Sequence, residues 1–140
     1  PLVCNNCHTQ VRADMLKPGY VDPDYLRYEK HRVYVVDANL KAGKRHINPR
    51  RTMYLDEDSW QILVVDHYDA QGKLWRYSEA PSVNYYEVPV FWSTLEDHHD
   101  LKSGRYLAVG LDNQDAMYDF SFQTTPDMFS PQSLRQRGIQ

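Results

Sequence analysis

The residues best suited to chemistry lie near the start of the chain, where Cys4-Asn5-Asn6-Cys7-His8 reads C-x-x-C-H. This spacing is the attachment pattern of c-type haem, in which two thiols form thioethers and the histidine ligates the iron. A cytochrome c domain would be helical and would supply a second ligand, whereas the rest of this chain reads as strands. We favour a local disulfide or two free thiols, and we predict neither covalent haem nor another cofactor.

Histidine and acidic residues form two further candidate sites. His98-His99 lies in the polar run 96–100, whose residue types bind metals. Adjacent side chains of a strand point to opposite faces, so the two histidines would not easily reach one ion. We interpret this run as a solvated loop or short helix. Asp56-Glu57-Asp58 resembles a calcium loop in charge alone, without the required spacing, and we interpret it as part of a hairpin turn.

Three common catalytic and nucleotide-binding motifs are absent from the sequence. The sequence has no G-x-S-x-G, no phosphate-binding loop and no dinucleotide fingerprint. Lone carboxylates such as Asp66 and Glu87 have no partner in sequence. We therefore predict a protein that is not an enzyme, with no catalytic residue and no metal site.

Basic residues cluster across the first predicted hairpin. They are Lys41, Lys44, Arg45, His46, Arg50 and Arg51. The cluster could contact an anionic headgroup or an acidic partner. The alternative, which we favour, is a solvated sheet edge whose charges prevent strand addition. The net charge of −3 and the pI near 6.1 argue against nucleic-acid binding.

The composition is that of one globular domain. The chain has 140 residues, of which 41% are hydrophobic and 25% charged, and no apolar run approaches the ~18 residues of a membrane span. It begins at Pro1 without a signal peptide, so we expect a processed chain or a fragment of a longer protein. We predict an irregular N-terminal segment over residues 1–28 and an antiparallel β domain over residues 29–140.

Turn residues between β-branched and aromatic runs predict an antiparallel meander. The predicted strands span residues 30–40, 45–55, 60–68, 74–79, 84–94, 105–111 and 117–123, and a capped short helix begins at Ser130-Pro131. In the third strand Trp60 and Val64 share a face by the period of two. Both faces of this strand are partly apolar, so we expect both to be covered. We predict that Trp60 is mostly buried and that Trp60→Ala costs about 3–5 kcal/mol.

A candidate ligand-binding face comes from the fourth and fifth predicted strands. If the connection at Pro81 keeps the register, one face carries Trp75, Tyr77, Tyr86, Val88, Val90 and Trp92. A face this apolar would be unusual if left bare in a soluble monomer. We predict that it binds an acyl chain or is covered by a helix or a partner.

Several segments resemble a large Gram-negative family known only as domain of unknown function 1329. The matching segments are residues 26–36, 40–46, 54–60, 66–69 and 129–131, and Tyr54-Leu55-Asp56-Glu57-Asp58-Ser59-Trp60 is the most specific. The resemblance implies a periplasmic fold like that of LolA and LolB, in which a curved, unclosed antiparallel half-barrel holds helices in its mouth. Proteins of that shape bind acyl chains or lipoproteins on the concave face. Family members are usually longer, and the cysteine pair is not part of the family pattern.

Three hypotheses follow. The leading one is a non-enzymatic periplasmic carrier, associated with the outer membrane, that binds a lipid, a lipoprotein or another hydrophobic ligand and works with an envelope transport protein. The second is a structural or interaction fragment that completes a larger sheet or associates with a second copy of itself. The third is an electron carrier that uses Cys4, Cys7 and His8 to hold haem.

Overall fold

Six strands form the central antiparallel sheet in a computed structural model that describes residues 2–3, 12–111, 115–116 and 118–138. These strands are β5 (Val33–Asn39), β6 (Arg50–Asp56), β7 (Ile62–Tyr68), β8 (Leu74–Glu79), β11 (Leu95–Asp100) and β12 (Arg105–Gly110). Their spatial order is β12-β11-β8-β7-β6-β5. Because β12 and β5 are edges of this sheet, the sheet is open rather than closed into a barrel.

Shorter elements surround the sheet in two-stranded pairs. They are β1 (Leu2–Val3) with β4 (Leu26–Arg27), β2 (Leu16–Lys17) with β3 (Tyr20–Val21), and β9 (Ser82–Tyr85) with β10 (Val90–Ser93). The α-helices are α1 (Arg12–Met15) and α2 (Pro131–Arg137), and single 3-10 turns span Pro23–Tyr25 and Pro126–Phe129. Ser130 caps α2 by accepting the N–H of Ser133, which agrees with the capped helix predicted at Ser130-Pro131. The predicted mainly β, antiparallel fold with short helices is confirmed.

The hairpin turns form where polar side chains bond to their own backbone. Between β7 and β8, the Oδ1 atom of Asp69 accepts the N–H groups of Gln71 and Lys73. Gly72 completes this turn with a φ of 75°, a conformation that L side chains rarely adopt. β7 and β8 therefore pair as a tight hairpin, with a register shift between His67 and Tyr68.

Trp60 does not lie in the third predicted strand, where the pattern of the sequence placed it. Asp56 accepts both the N–H and the hydroxyl of Ser59, and the N–H of Trp60 bonds to the carbonyl of Asp56. These bonds prolong the turn, so β7 begins at Ile62 and Trp60 adopts a φ of 61° outside the strand. Its side chain is 67% exposed and stacks on Tyr34 with ring centroids 5.2 Å apart. The predictions that Trp60 is buried and belongs to the face of Val64 are wrong.

Three other predicted elements are also wrong in part. The run 96–100 belongs to β11, because Leu95 and Asp97 point inward and Glu96 and His98 point outward. The predicted strand 84–94 is split into β9 and β10 by a turn that a bond from Val88 N–H to Tyr85 carbonyl closes. Residues 118–123 are irregular, since Asp119 accepts the N–H of Ser121 and thus favours a turn over a ladder.

Pairing in register defines the two faces of the sheet. The core face carries the cross-strand row Val35, Tyr54, Val64, Glu79, Asp97 and Ala108, and the open face carries the row Val36, Met53, Val65, Ser78, His98 and Leu107. The hydrophobic core lies on the core face at β11 and β12, where Leu95 and Val21 pack with Leu16, Leu26 and Tyr106. The N-terminal elements therefore cover one end of one face.

We expect Leu95→Ala to lower the free energy of unfolding by about 2–5 kcal/mol, because Leu95 is 1% exposed and its loss leaves a cavity. Trp60→Ala should cost only about 0.5–1.5 kcal/mol, the value of an exposed aromatic pair. Urea denaturation of both variants measures the difference. Equal losses would show that Trp60 has a covered side after all.

Candidate functional site

The six predicted ligand-binding residues do not lie on one face of one sheet. Trp75 and Tyr77 belong to β8 of the central sheet, whereas Val90 and Trp92 belong to β10 of a separate hairpin. Tyr86 and Val88 lie in the turn of that hairpin, and Tyr86 is 82% exposed. The prediction of a single face is wrong because the predicted fifth strand reverses direction at this turn. Whether these residues bind a ligand stays a prediction.

A buried polar cluster lies on the core face at the seam between β8 and β11. Glu79, 7% exposed, accepts hydrogen bonds from the hydroxyls of Tyr77 at 2.7 Å and Tyr28 at 2.8 Å. Asp97, 2% exposed, lies directly opposite Glu79 on the neighbouring strand. The Nε2 atom of His99 lies 2.9 Å from the Oδ2 atom of Asp97. Tyrosine and histidine thus separate two carboxylates from water.

The electrostatics of this cluster follow from burial. Burial raises the pKa of Asp97, and the charge of Glu79 adds to this effect while the hydrogen bond with His99 opposes it. Burial and the hydrogen bond to Glu79 raise the pKa values of Tyr28 and Tyr77, so both phenols stay protonated and act as donors. The cluster can hold a proton and fix the segment around Tyr28 over the sheet. Its groups form an internal network, which by itself indicates a structural role.

No site for a metal ion is present among the described residues: no three His, Cys, Asp or Glu side chains converge there. His98 and His99 lie on opposite faces of β11, as the alternation of a strand requires. Asp56-Glu57-Asp58 closes the predicted hairpin turn, and Asp56 uses its carboxylate to bond Ser59 and His31. Cys4, Cys7 and His8 lie outside the described residues.

The open face presents an apolar surface that the sequence analysis missed. Two rows, called here the apolar rows, cross β5, β6 and β7: Tyr34, Leu55 and Ile62, and next to them Val36, Met53 and Val65. The side chains of Tyr34, Val36, Ile62, Leu107 and Val109 on this face remain 40–58% exposed. The sequence shows the alternation within each strand, but it does not show that the core cluster lies on the opposite face.

The fold and these surfaces can be compared with known proteins. A family model described as "protein of unknown function (DUF1329)" matches residues 4–135. The chain belongs to the DUF1329 family. The family predicted from the sequence motifs is therefore confirmed. An uncharacterized protein of Pseudomonas aeruginosa is 44% identical to this DUF1329 chain over 128 residues, which cover 91% of the chain and 28% of that relative.

Two solved structures are also similar to this DUF1329 chain. A proposed outer membrane lipoprotein-sorting protein domain of Vibrio parahaemolyticus matches with a TM-score of 0.47 and 15% identity, over 74% of this chain and 42% of that one. A DUF1329 family protein of Desulfovibrio piger matches with a TM-score of 0.46 and 16% identity, over 73% and 40%. This DUF1329 chain thus spans less than half of each protein compared.

We predict that Asp97→Asn stabilises the protein at neutral pH. Because the pKa of Asp97 rises on folding, the stability that Asp97 contributes is fully present below the ordinary aspartate pKa and is lost as the pH rises through the folded value. The advantage of the variant should therefore shrink as the pH falls. Thermal unfolding of both proteins between about pH 3 and pH 7 measures this change.

Asp69→Asn is the control with the opposite sign. The hydrogen bond from Lys102 lowers the pKa of Asp69, so its carboxylate stabilises the fold above the ordinary pKa, and this contribution is lost in acid. This variant should be less stable than the wild type at neutral pH and equal to it at low pH. A pH-independent difference for Asp97→Asn would contradict the role given to burial.

Proposed function

We propose that this chain belongs to a non-enzymatic carrier that binds a lipid or another hydrophobic ligand at the periplasmic side of the cell envelope. The observation that carries the proposal is the open face, where the apolar rows remain partly exposed while the N-terminal elements cover the β11 and β12 end of the core face. Contiguous apolar surface of this kind marks binding sites in soluble proteins. No helix within the described residues is long and apolar enough to cross a membrane.

The physical gain from an acyl chain on this surface is substantial. Each buried CH₂ contributes about 0.8 kcal/mol, so a chain that covers both apolar rows could reach micromolar affinity after the cost of ordering it. Tyr34 and Trp60 stack at the end of these rows and offer a broad aromatic contact. The ligand could be a free lipid or the acyl group of a lipoprotein handed over by an envelope transport protein.

A second candidate function is structural. The chain spans 28% of its Pseudomonas relative, and β5 and β12 leave two sheet edges in the described part of the chain. Further strands of a longer protein, or a second copy, could extend the sheet at these edges and cover the apolar rows. In that case the apolar rows would belong to an interior rather than to a ligand site.

Val36→Asp should weaken the binding of a long-chain fatty acid to the full-length protein about tenfold or more, because it places a charge in the apolar rows. The matched control is Val35→Asp, since Val35 is the next residue, is 59% exposed and lies on the core face. Val35→Asp should leave the affinity unchanged. Calorimetric titration measures both affinities.

Val90→Asp tests the ligand site predicted from the sequence alone. If Val90→Asp weakens binding and Val36→Asp does not, the hairpin of β9 and β10 is the ligand site and the apolar rows are not. If the full-length wild type binds no acyl ligand, the carrier proposal fails. A Val36→Asp protein that is also destabilised would then support the structural candidate.

A further inference from the structure

A charged cross-strand row lies on the open face next to the apolar rows. It consists of Arg51 on β6, His67 on β7, Arg76 on β8, Asp100 on β11 and Arg105 on β12, each paired in register with its neighbour. We call it the arginine row. Arg51 is two residues from Met53 along β6, so the arginine row lies about 7 Å from the nearer apolar row. The open face is therefore amphipathic, with a basic side and an apolar side.

The arginine row lines a depression of about 420 Å³, which Asn48, Ser78 and His98 also line. Neighbouring strands are about 4.8 Å apart, so Arg76 starts roughly 10 Å from Arg51 on one side and from Arg105 on the other, whereas Arg51 and Arg105 start roughly 19 Å apart. A ligand beside Arg76 is therefore within reach of either neighbour. The acidic member, Asp100, already accepts the indole N–H of Trp75 at 3.2 Å and lies 3.5 Å from Arg76. No carboxylate pairs with Arg51 or Arg105 among the described residues.

Two buried nitrogen atoms in this depression have no hydrogen-bond partner within the described part of the chain. They are Nδ2 of Asn48, a residue only 7% exposed, and Nδ1 of His67. The amide nitrogen of Asn48 can only donate, and an unmet buried donor is costly. Burial and the charges of Arg51 and Arg76 lower the pKa of His67, which indicates a positive potential at this point. A ligand that satisfies this site must bring acceptors and negative charge.

The donors are held in place before any ligand arrives. The Nε2 atom of His46 lies 3.3 Å from Nη2 of Arg51. The Nδ1 atom of the same histidine accepts the backbone N–H of Asn48 at 3.0 Å. Arg76 packs over the Trp75 ring at 4.5 Å from its centroid. Side chains that are already ordered lose less entropy when they bind.

We infer that the arginine row binds the phosphate of an acyl lipid whose chains lie on the apolar rows. The inference rests on the proposed function, because the apolar rows supply the chain site. Guanidinium groups match phosphate oxygens with paired hydrogen bonds, and a phosphate offers enough acceptors for several donors at once, whereas a carboxylate offers two oxygen atoms. Charge complementarity and the adjoining apolar rows together favour a phospholipid over a neutral lipid.

The test compares two ligands with identical chains on the full-length protein: dioctanoyl phosphatidic acid and dioctanoylglycerol. The wild type should bind the phosphatidic acid about tenfold or more tightly, with a difference that shrinks at high salt. Arg51→Gln should remove most of this difference without changing the affinity for dioctanoylglycerol. Arg50→Gln is the matched control, because Arg50 lies next in sequence but pairs with Asp37 and packs over Tyr68 on the core face. It should bind both ligands as the wild type does.

The other outcomes separate the two proposals. Equal binding of both lipids, unchanged by Arg51→Gln, overturns the phosphate site and leaves the carrier function intact. Inorganic phosphate that binds as tightly as the phosphatidic acid overturns the lipid assignment in favour of a free anion. Palmitate that shows the Arg51 dependence while phosphatidic acid binds no better than dioctanoylglycerol overturns the phosphate assignment in favour of a carboxylate. If no lipid binds and Arg51→Gln lowers the melting temperature, an acidic segment of the protein itself occupies the row, and both proposals fail.

Discussion

The pairing of β8 with β11 is the constraint on which the rest of the structure depends. It joins the meander of β5 to β8 to the hairpin of β11 and β12, although β9 and β10 intervene in sequence. At this seam Glu79 and Asp97 face each other. Two carboxylates in this position would destabilise the pairing if nothing else contacted them. Hydrogen bonds from Tyr28 and Tyr77 and the ring of His99 stabilise it instead. Tyr28 thereby ties the N-terminal segment to the core face and leaves the opposite face open.

The period of two along each strand then divides neighbouring residues between two environments. Arg50 contacts Asp37 and Tyr68 on the core face, whereas Arg51 lies in the arginine row. His99 packs against Tyr106 near the core, whereas His98 contacts Ser78 on the open face. A one-residue shift in the pairing of any of these strands would exchange the two sets. The turn at Asp69 that joins β7 to β8 therefore also fixes which of their side chains lie on the open face.

The sequence predicts the parts of this fold that local chemistry decides. β8 and the helix cap at Ser130 are found where the pattern places them, and the family match follows from short motifs. Trp60 was mispredicted because the side chain of Asp56, four residues earlier, prolongs the turn. The arginine row could not be predicted, since Arg51, His67, Arg76 and Arg105 become neighbours through strand order alone. The sequence does show a basic cluster around Arg51. The alternation of the strand places Arg50 on the other face, however, and strand pairing places Arg76 and Arg105 in the same row as Arg51.

The two sides of the open face would contribute differently to a bound lipid. Contact with the apolar rows has no preferred direction, so a chain could slide along Tyr34, Val36 and Met53 at little cost. Guanidinium and amide donors act at fixed distances and angles, so the phosphate would set the position and the orientation of the whole ligand. Salt does not screen the first contribution, whereas it does screen the second at a partly exposed site. A carrier built in this way would hold its ligand by the chain. It would release the ligand where a competing anion binds the arginine row or where a higher ionic strength screens the charges of that row.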